Sequence, residues 1–379
     1  MTMPRLCSLA ACLLIATAVA AAARAPGILV FVGTYTTGQS KGIYAFRFDD
    51  QSGALTPVGL AAETPSPSFL TASRNGRQIF AVNEIGSFNG ARSGSVTSFS
   101  VDAASGTLRA INTESSRGAD PCHLALDRTG RFLAVANYTG GNFALLPVGA
   151  DGRLGAAAAV LTNAGSGPNR ARQDGPHAHF VAFDAGNRFL LGADLGADRV
   201  WIYRFDPATG RVVANDPPSA AVEAGSGPRH LAMHPNGRLA FSVNELKSTV
   251  TSFSWDRTNG RLTPAASYST LPDDVRGSSS TAEIAIHPSG RFLYASNRGH
   301  DSVAVFAVNA TGELRRVQIA PTRGQTPRNF AIDPTGGWLI AANQKSGTLA
   351  VFRIDQTTGE LSAAGPLTFV DSPVCVLFL

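Results

Sequence analysis

A nineteen-residue segment recurs six times along this chain, and a repeat constrains the fold more than any local propensity, because each copy must bury its apolar face against a neighbouring copy. The copies read SPSFLTASRNGRQIFAVNE from Ser66, DPCHLALDRTGRFLAVANY from Asp120, HAHFVAFDAGNRFLLGADL from His177, GPRHLAMHPNGRLAFSVNE from Gly227, STAEIAIHPSGRFLYASNR from Ser280 and TPRNFAIDPTGGWLIAANQ from Thr326. Their turns, at Gly76, Gly130, Asn187, Gly237, Gly290 and Gly336, lie 54, 57, 50, 53 and 46 residues apart. Alternating apolar residues on either side of each turn describe a hairpin of two strands. A third and a fourth strand follow each time, in SVTSFSVD, FALLPVG, RVWIYRFD, TVTSFSWD, SVAVFAVN, TLAVFRID and what succeeds them, usually through a D-x-x-x-G-x-L turn. Four strands per copy at this spacing is the unit of a propeller blade. No segment carries a sustained 3.6-residue apolar period, so helices are expected to be scarce.

The two ends complete the count. ILVFVGTYT and GIYAFRFD near the start read as the second to fourth strands of a blade that lacks its first, and SPVCVLFL at the C-terminus supplies that strand. Pairing it with the N-terminal strands closes a ring and removes the edges an open array would expose. The expected fold is therefore all-β: one seven-bladed β-propeller of four-stranded antiparallel blades over residues 26–379. At 379 residues, with 39 Gly and 22 Pro, the chain has the size and turn content for it.

Residues 1–25 stand apart. Arg5, the apolar run from Leu9 to Val19 and small residues through Ala23 and Ala25 have the form of a secretory signal peptide, with cleavage after Ala20, Ala23 or Ala25. The residue types of Leu9-Ala10-Ala11-Cys12 fit a lipoprotein signal, but there the apolar stretch should precede the cysteine, and here it follows. The expected location is the periplasm or the extracellular space. Loss of Arg5 and Arg24 lowers the formal net charge from +5 to +3, too mild to argue for nucleic acid or a membrane surface as partner. The mature chain keeps Cys122 and Cys375, in blades separated by another, so two buried free thiols are expected rather than a disulfide.

In a propeller, the loop leading into the first strand and the loop between the second and third strands open on one face around the central channel. The residue after the leading Pro gives a first column of Ser68, Cys122, His179, Arg229, Ala282, Arg328 and Val374; the third copy leaves both His177 and His179 as candidates. A second column, at the end of the second strand, reads Asn83-Glu84, Asn137-Tyr138, Asp194-Leu195, Asn244-Glu245, Asn297-Arg298 and Asn343-Gln344. Its constant Asn or Asp reads as a cap on local backbone. The variable residue beside it reads as chemistry. His179, Arg229, Glu245 and Arg298 are thus expected to meet at one cavity as catalytic residues, with His177, Arg328 and Glu84 contacting substrate; a structural salt bridge of Glu245 with Arg229 or Arg298 is the alternative. His234 and His287, in H-P-x-G turns whose sister copies carry Asp127, Asp184 and Asp333, read as turn caps. No set of ligands has zinc spacing, and no metal or cofactor is expected.

The segments GPRHLAMHPNGRLAFSVNELKSTVTSF, STAEIAIHPSGRFLYASNRGHDSVAVF and TPRNFAIDPTGGWLIAANQ, with the starting FVGTYT, resemble the signature segments of the lactonase family of propellers, from about Ile28 to Leu379. The Trp-Asp dipeptide and the per-blade Trp spacing of other propeller families are missing. The resemblance implies hydrolysis of a small lactone such as 6-phosphogluconolactone or an aldonolactone. It also extends to the fungal carboxymuconate cycloisomerase, and it points to the same four residues, His179, Arg229, Glu245 and Arg298. Lactone hydrolysis needs a base for water, donors for the oxyanion and a proton for the departing alkoxide. Glu245 is expected as base, Arg229 and Arg298 as anion-holding donors, and His179 as proton donor. A non-catalytic binding scaffold is the rival from another class, and it would need no cluster of mixed charge in the channel.

Overall fold

The structure, a computed structural model, describes residues 27–275 and 277–379. The expected leader lies outside the described residues. Among them are twenty-eight strands and no helix, in seven four-stranded antiparallel sheets. Blade 1 is the composite one: Pro373–Phe378 pairs with Ile28–Thr34, which continues to Gly42–Phe48 and Leu55–Glu63. Blades 2 to 7 follow in chain order, their innermost strands being Leu70–Ala72, Pro121–Leu126, Ala178–Phe183, Pro228–Met233, Ser280–Ile286 and Pro327–Ile332. The ring closes as the end segments predicted.

Seven apolar clusters fill the seven interfaces between neighbouring blades. Each holds a buried phenylalanine: Phe31, Phe80, Phe143, Phe253, Phe306, Phe352 and Phe48. Burying one such ring contributes roughly 1.5–3 kcal/mol. The seam between blades 7 and 1 is packed like the rest, with Trp338 edge-on to Phe48 at 5.9 Å. Room for these rings is made locally: a Cβ on Gly192 would lie 2.2 Å from the Phe143 ring.

The recurring turn is built for reuse. Gly130 takes a φ of 74°, and Asn187 fills the same place at 56°, a conformation Asn tolerates better than most residues. Asp127, Asp184 and Asp333 accept backbone N–H groups of their own turns. His234 and His287 do this with Nδ1, and each then donates from Nε2 to the turn carbonyl of the next blade, at Gly290 and Gly336, both at 2.9 Å. An aspartate could not make that second bond. Arg131, Arg188 and Arg291, after the turn, donate to the outer turn of the following blade.

Candidate active site

At the other end of the innermost strands, the pairing with the second strand is broken by a bulge in blades 3, 4, 5, 6, 7 and 1. A bulge carries an unpaired extra residue and re-aims side chains. Here the register shifts at Cys122, His179, Arg229, Ala282–Glu283, Arg328 and Val374, and of the first column Cys122, His179 and Arg328 line the mouth while Arg229 and Val374 line the channel just below. Of the residues after the first column, His230, Glu283 and Asn329 line that channel too. In these six blades the first column thus holds one structural position, with a second layer beneath it.

The mouth opens into a cavity of ≈ 310 Å³ whose wall includes Glu84, Tyr138, Arg172, His179, Glu245, Arg298 and Arg328. Below, the channel narrows to ≈ 10 Å³ between Ser68, Cys122, Arg229, Glu283, Arg328 and Val374, among others. Three clefts at the turn end are larger, ≈ 430, ≈ 500 and ≈ 480 Å³, but they are walled mainly by turn residues, aromatic rings and exposed arginines. Converging buried polar groups, rather than size, mark the mouth as the candidate site.

Glu245 is the hub. It is 4 % exposed, its Oε1 lies 2.5 Å from Arg172 Nη2, and its Oε2 lies 3.1 Å from Arg229 Nε and 2.9 Å from Arg298 Nη2. Burial by itself would raise this carboxyl, but the guanidiniums of Arg298, Arg229 and Arg172 overcome it and hold it down at about 2. His179 is buried beside Cys122, with Nδ1 3.7 Å from Sγ. Burial, then Arg229 and His230, push its imidazole well below its ordinary value, so it is neutral at pH 7. Burial pushes the Cys122 thiol up, which keeps it protonated and a poor nucleophile.

These environments run against Glu245 as the base, and they make His179 a proton acceptor before it can be a donor. A carboxyl held at about 2, with both oxygens bonded to arginines, has little affinity for the proton of a water. A neutral imidazole has no proton to spare at the start of the reaction but can accept one.

Arg328 stands apart from the other arginines. Its guanidinium lies 5.2 Å over the Tyr35 ring and has no hydrogen bond or ion pair among the described residues. Glu84 accepts the Tyr35 hydroxyl on both carboxylate oxygens at 3.0 Å. Ser68 Oγ and Arg298 Nε are buried without a hydrogen-bond partner. His177 is not brought to the cavity wall: it stacks on the Tyr138 ring at 4.6 Å and bonds the Tyr138 carbonyl, holding Tyr138 from behind.

Sequence reasoning missed Arg172. It comes from the connection between Thr162 and Ala178, pinned by the buried Gln173, which donates to Leu195 O and Asp198 Oδ1. The length of that connection was its one signal, since long ordered loops in compact domains are often functional. Four members of the constant column, Asn83, Asn137, Asn297 and Asn343, each donate to a carbonyl in the connection arriving from the previous blade, whereas Asn244 donates to the Thr249 and Thr251 hydroxyls. Cys122 and Cys375 are buried and free. Among the described residues no group of three or more His, Cys, Asp or Glu could hold a metal ion, and no helix is long and apolar enough to cross a membrane.

A profile described as lactonase, 7-bladed beta-propeller, matches residues 29–378. The chain belongs to the lactonase family. It is 35 % identical to a 6-phosphogluconolactonase of Bacillus subtilis over 350 residues, 92 % of this chain and 97 % of that one. It is also 35 % identical to a 6-phosphogluconolactonase of Formosa agariphila, over 80 % of this chain and 85 % of that one. The solved structure of a periplasmic gluconolactonase of Pseudomonas aeruginosa superposes with a TM-score of 0.87 at 36 % identity, covering 93 % of this lactonase and 99 % of that chain.

Proposed function

We propose that this protein hydrolyses the ring ester of a small sugar-acid lactone in the mouth cavity. The observation that carries the reading is the charge arrangement there. Three arginines on the wall, Arg172, Arg298 and Arg328, and Arg229 just below gather about two carboxylates, Glu84 and Glu245, and Arg328, stacked on Tyr35, makes no hydrogen bond or ion pair among the described residues. Unpaired positive charge in a half-buried site is costly unless an anion completes it. A non-catalytic scaffold has no use for such a cluster. Family membership supports the same reaction.

Glu245 gathers three guanidiniums into one fixed array. With Nδ1–H directed at Cys122 Sγ, His179 presents the lone pair of Nε2 and takes a proton as water attacks the lactone carbonyl. Arg229 and Arg298 hold the oxyanion, whose collapse breaks the ring C–O bond; His179 returns the proton to the departing alkoxide. The products are a hydroxy acid and, at neutral pH, one released proton. Arg328, with Ser68, receives an anionic or polyhydroxylated tail of the substrate, with His177 acting indirectly through Tyr138.

A pH-stat screen of glucono-, aldono- and 6-phosphogluconolactones, corrected for spontaneous opening, tests the reading. Acid release above background supports it, and none with any of them would sink it. A cycloisomerase would interconvert lactone and open acid without adding water, which product analysis separates. Residues 1–25 support export, so an unphosphorylated aldonolactone is the natural substrate we favour. Recovery of the mature protein from the periplasm, shortened by 20 to 25 residues, checks this.

A further inference from the structure

Beneath the cavity Phe69, His230, Glu283 and Asn329 line the narrow channel, and His123, Phe180 and Cys375 hold the same strand position in their own blades. Three of these are apolar or weakly polar in blades 2, 4 and 1, so the fold itself asks for no charge at this depth. Blades 5, 6 and 7 nevertheless carry a buried His, Glu and Asn side by side. Asn329 Nδ2 donates to Glu283 Oε2 at 2.5 Å, and Asn329 Oδ1 accepts Val376 N at 2.8 Å. Glu283 Oε1 lies 2.9 Å from His230 Nδ1 and accepts Ile284 N. His230 Nε2 lies 3.2 Å from Arg229 Nη1.

The direction of every bond in this chain is fixed by chemistry. Val376 N–H can only donate, which orients the Asn329 amide with its NH₂ toward Glu283. Arg229 can only donate, so His230 Nε2 is the acceptor and Nδ1 carries the proton given to Glu283. The His230 ring cannot swing away, because Phe69, His123, Phe180 and His179 surround it with ring centroids between 5.0 and 5.8 Å. Arg229 spends Nε on Glu245 and Nη1 on Ala282 O and His230, leaving Nη2 without an acceptor among the described residues.

We propose that Glu283, acting through His230 and oriented by Asn329, is a positioning residue that aims the two free Nη2 donors of Arg229 at the reacting oxygen. This rests on reading the cavity as the lactone-hydrolysing site. Acid disturbs the arrangement in a defined way. Burial pushes the Glu283 carboxyl up to about 7, against the pull of Arg229, the Ile284 N–H and Asn329. Arg229, His123, His230 and the Cys375 thiol are the titratable or charged groups that face it. Once protonated, Glu283 must donate to His230 Nδ1, which moves the imidazole proton to Nε2, against the Arg229 N–H. Turnover is therefore expected to fall as pH drops through about 7.

The test exchanges polarity along the chain. Glu283→Gln sets an NH₂ against either Asn329 or His230 and is expected to lower kcat about 10- to 100-fold with KM within about threefold. The double variant Glu283→Gln with Asn329→Asp restores a donor facing an acceptor at each step, at unchanged total charge. It is expected to recover kcat to within about threefold. Folded Glu283→Gln with wild-type kcat, or a folded double variant no better than the single, overturns the proposal. If Glu283→Gln does not fold, His230→Asn, which still donates to Glu283 but cannot reach Arg229, gives the same reading: a fall in kcat supports the proposal, and full kcat overturns it. A wild-type protein that opens no lactone removes the functional reading alone. The side-chain ¹⁵Nε resonance of Arg229 then decides on positioning, moved in Glu283→Gln and returned in the double variant, or unmoved if the proposal is wrong.

Discussion

The two ends of the innermost hairpins treat one repeat in opposite ways. At the turn end, blade after blade caps the same Gly or Asn turn with Asp127, Asp184, Asp333, His234 or His287, and Arg131, Arg188 and Arg291 fasten it to the next blade. At the mouth end, Ser68, Cys122, His179, Arg229, Ala282, Arg328 and Val374 occupy one structural position, and only arginine occurs twice. Sameness at one end holds the wheel together. Difference at the other lets one ring present many functional groups to a single small molecule.

Exchanges at the two ends should differ in what they cost: activity is lost only at the mouth, while a turn-end exchange costs stability alone. Glu245→Gln leaves three guanidiniums around a neutral amide, so kcat/KM is expected to fall about 10³-fold and the fold to lose about 3–5 kcal/mol. Steady-state kinetics and urea melts measure the pair, and an active, stable variant would break the division. Arg328→Met removes the one mouth guanidinium that makes no hydrogen bond or ion pair among the described residues. KM for a lactone with an anionic group should rise about 10- to 50-fold while kcat on uncharged gluconolactone stays within about twofold; an equal effect on both substrates would show that Arg328 does not read charge. At the turn end, Asp184→Ala should cost about 1–2 kcal/mol in a denaturant melt with kcat/KM unchanged, because it loses acceptors for three backbone N–H groups.

The smallest effect is a pH dependence. The folded-state value of Glu245 is lowered, so its contribution to stability is complete above the ordinary carboxyl value of 4.5 and is lost as pH falls through about 2. The gap in urea midpoint between wild type and Glu245→Gln should narrow over that window. A gap that widened there would mean that the arginines do not hold the carboxylate as described.

The wheel was legible in the sequence because its determinants are local. Turn glycines, period-two alternation and an orphan C-terminal strand each act within a few residues, and the closing strand pairs Val376 with Val32 as they imply. The mouth column was legible for the same reason: a fixed offset from a turn sets which end of a strand a residue occupies. Roles were not legible, since the acidity of Glu245 depends on three arginines from blades 5 and 6 and the 162–178 connection. Arg172 lies outside the repeat, and its placement hangs on Gln173, whose burial no pattern announces. His230 and Glu283 were hidden by the bulges, which turn two successive residues inward where a regular strand would turn one.

A crystal structure with the ring-opened acid bound would decide whether the mouth is where the lactone opens. The new carboxylate is expected within hydrogen-bond distance of Arg229 Nη2 or Arg298, beside His179, with the far end of the acid toward Arg328. The acid bound instead in the turn-end cleft near Arg128, His234 and Arg257, with the mouth empty, would contradict that placement.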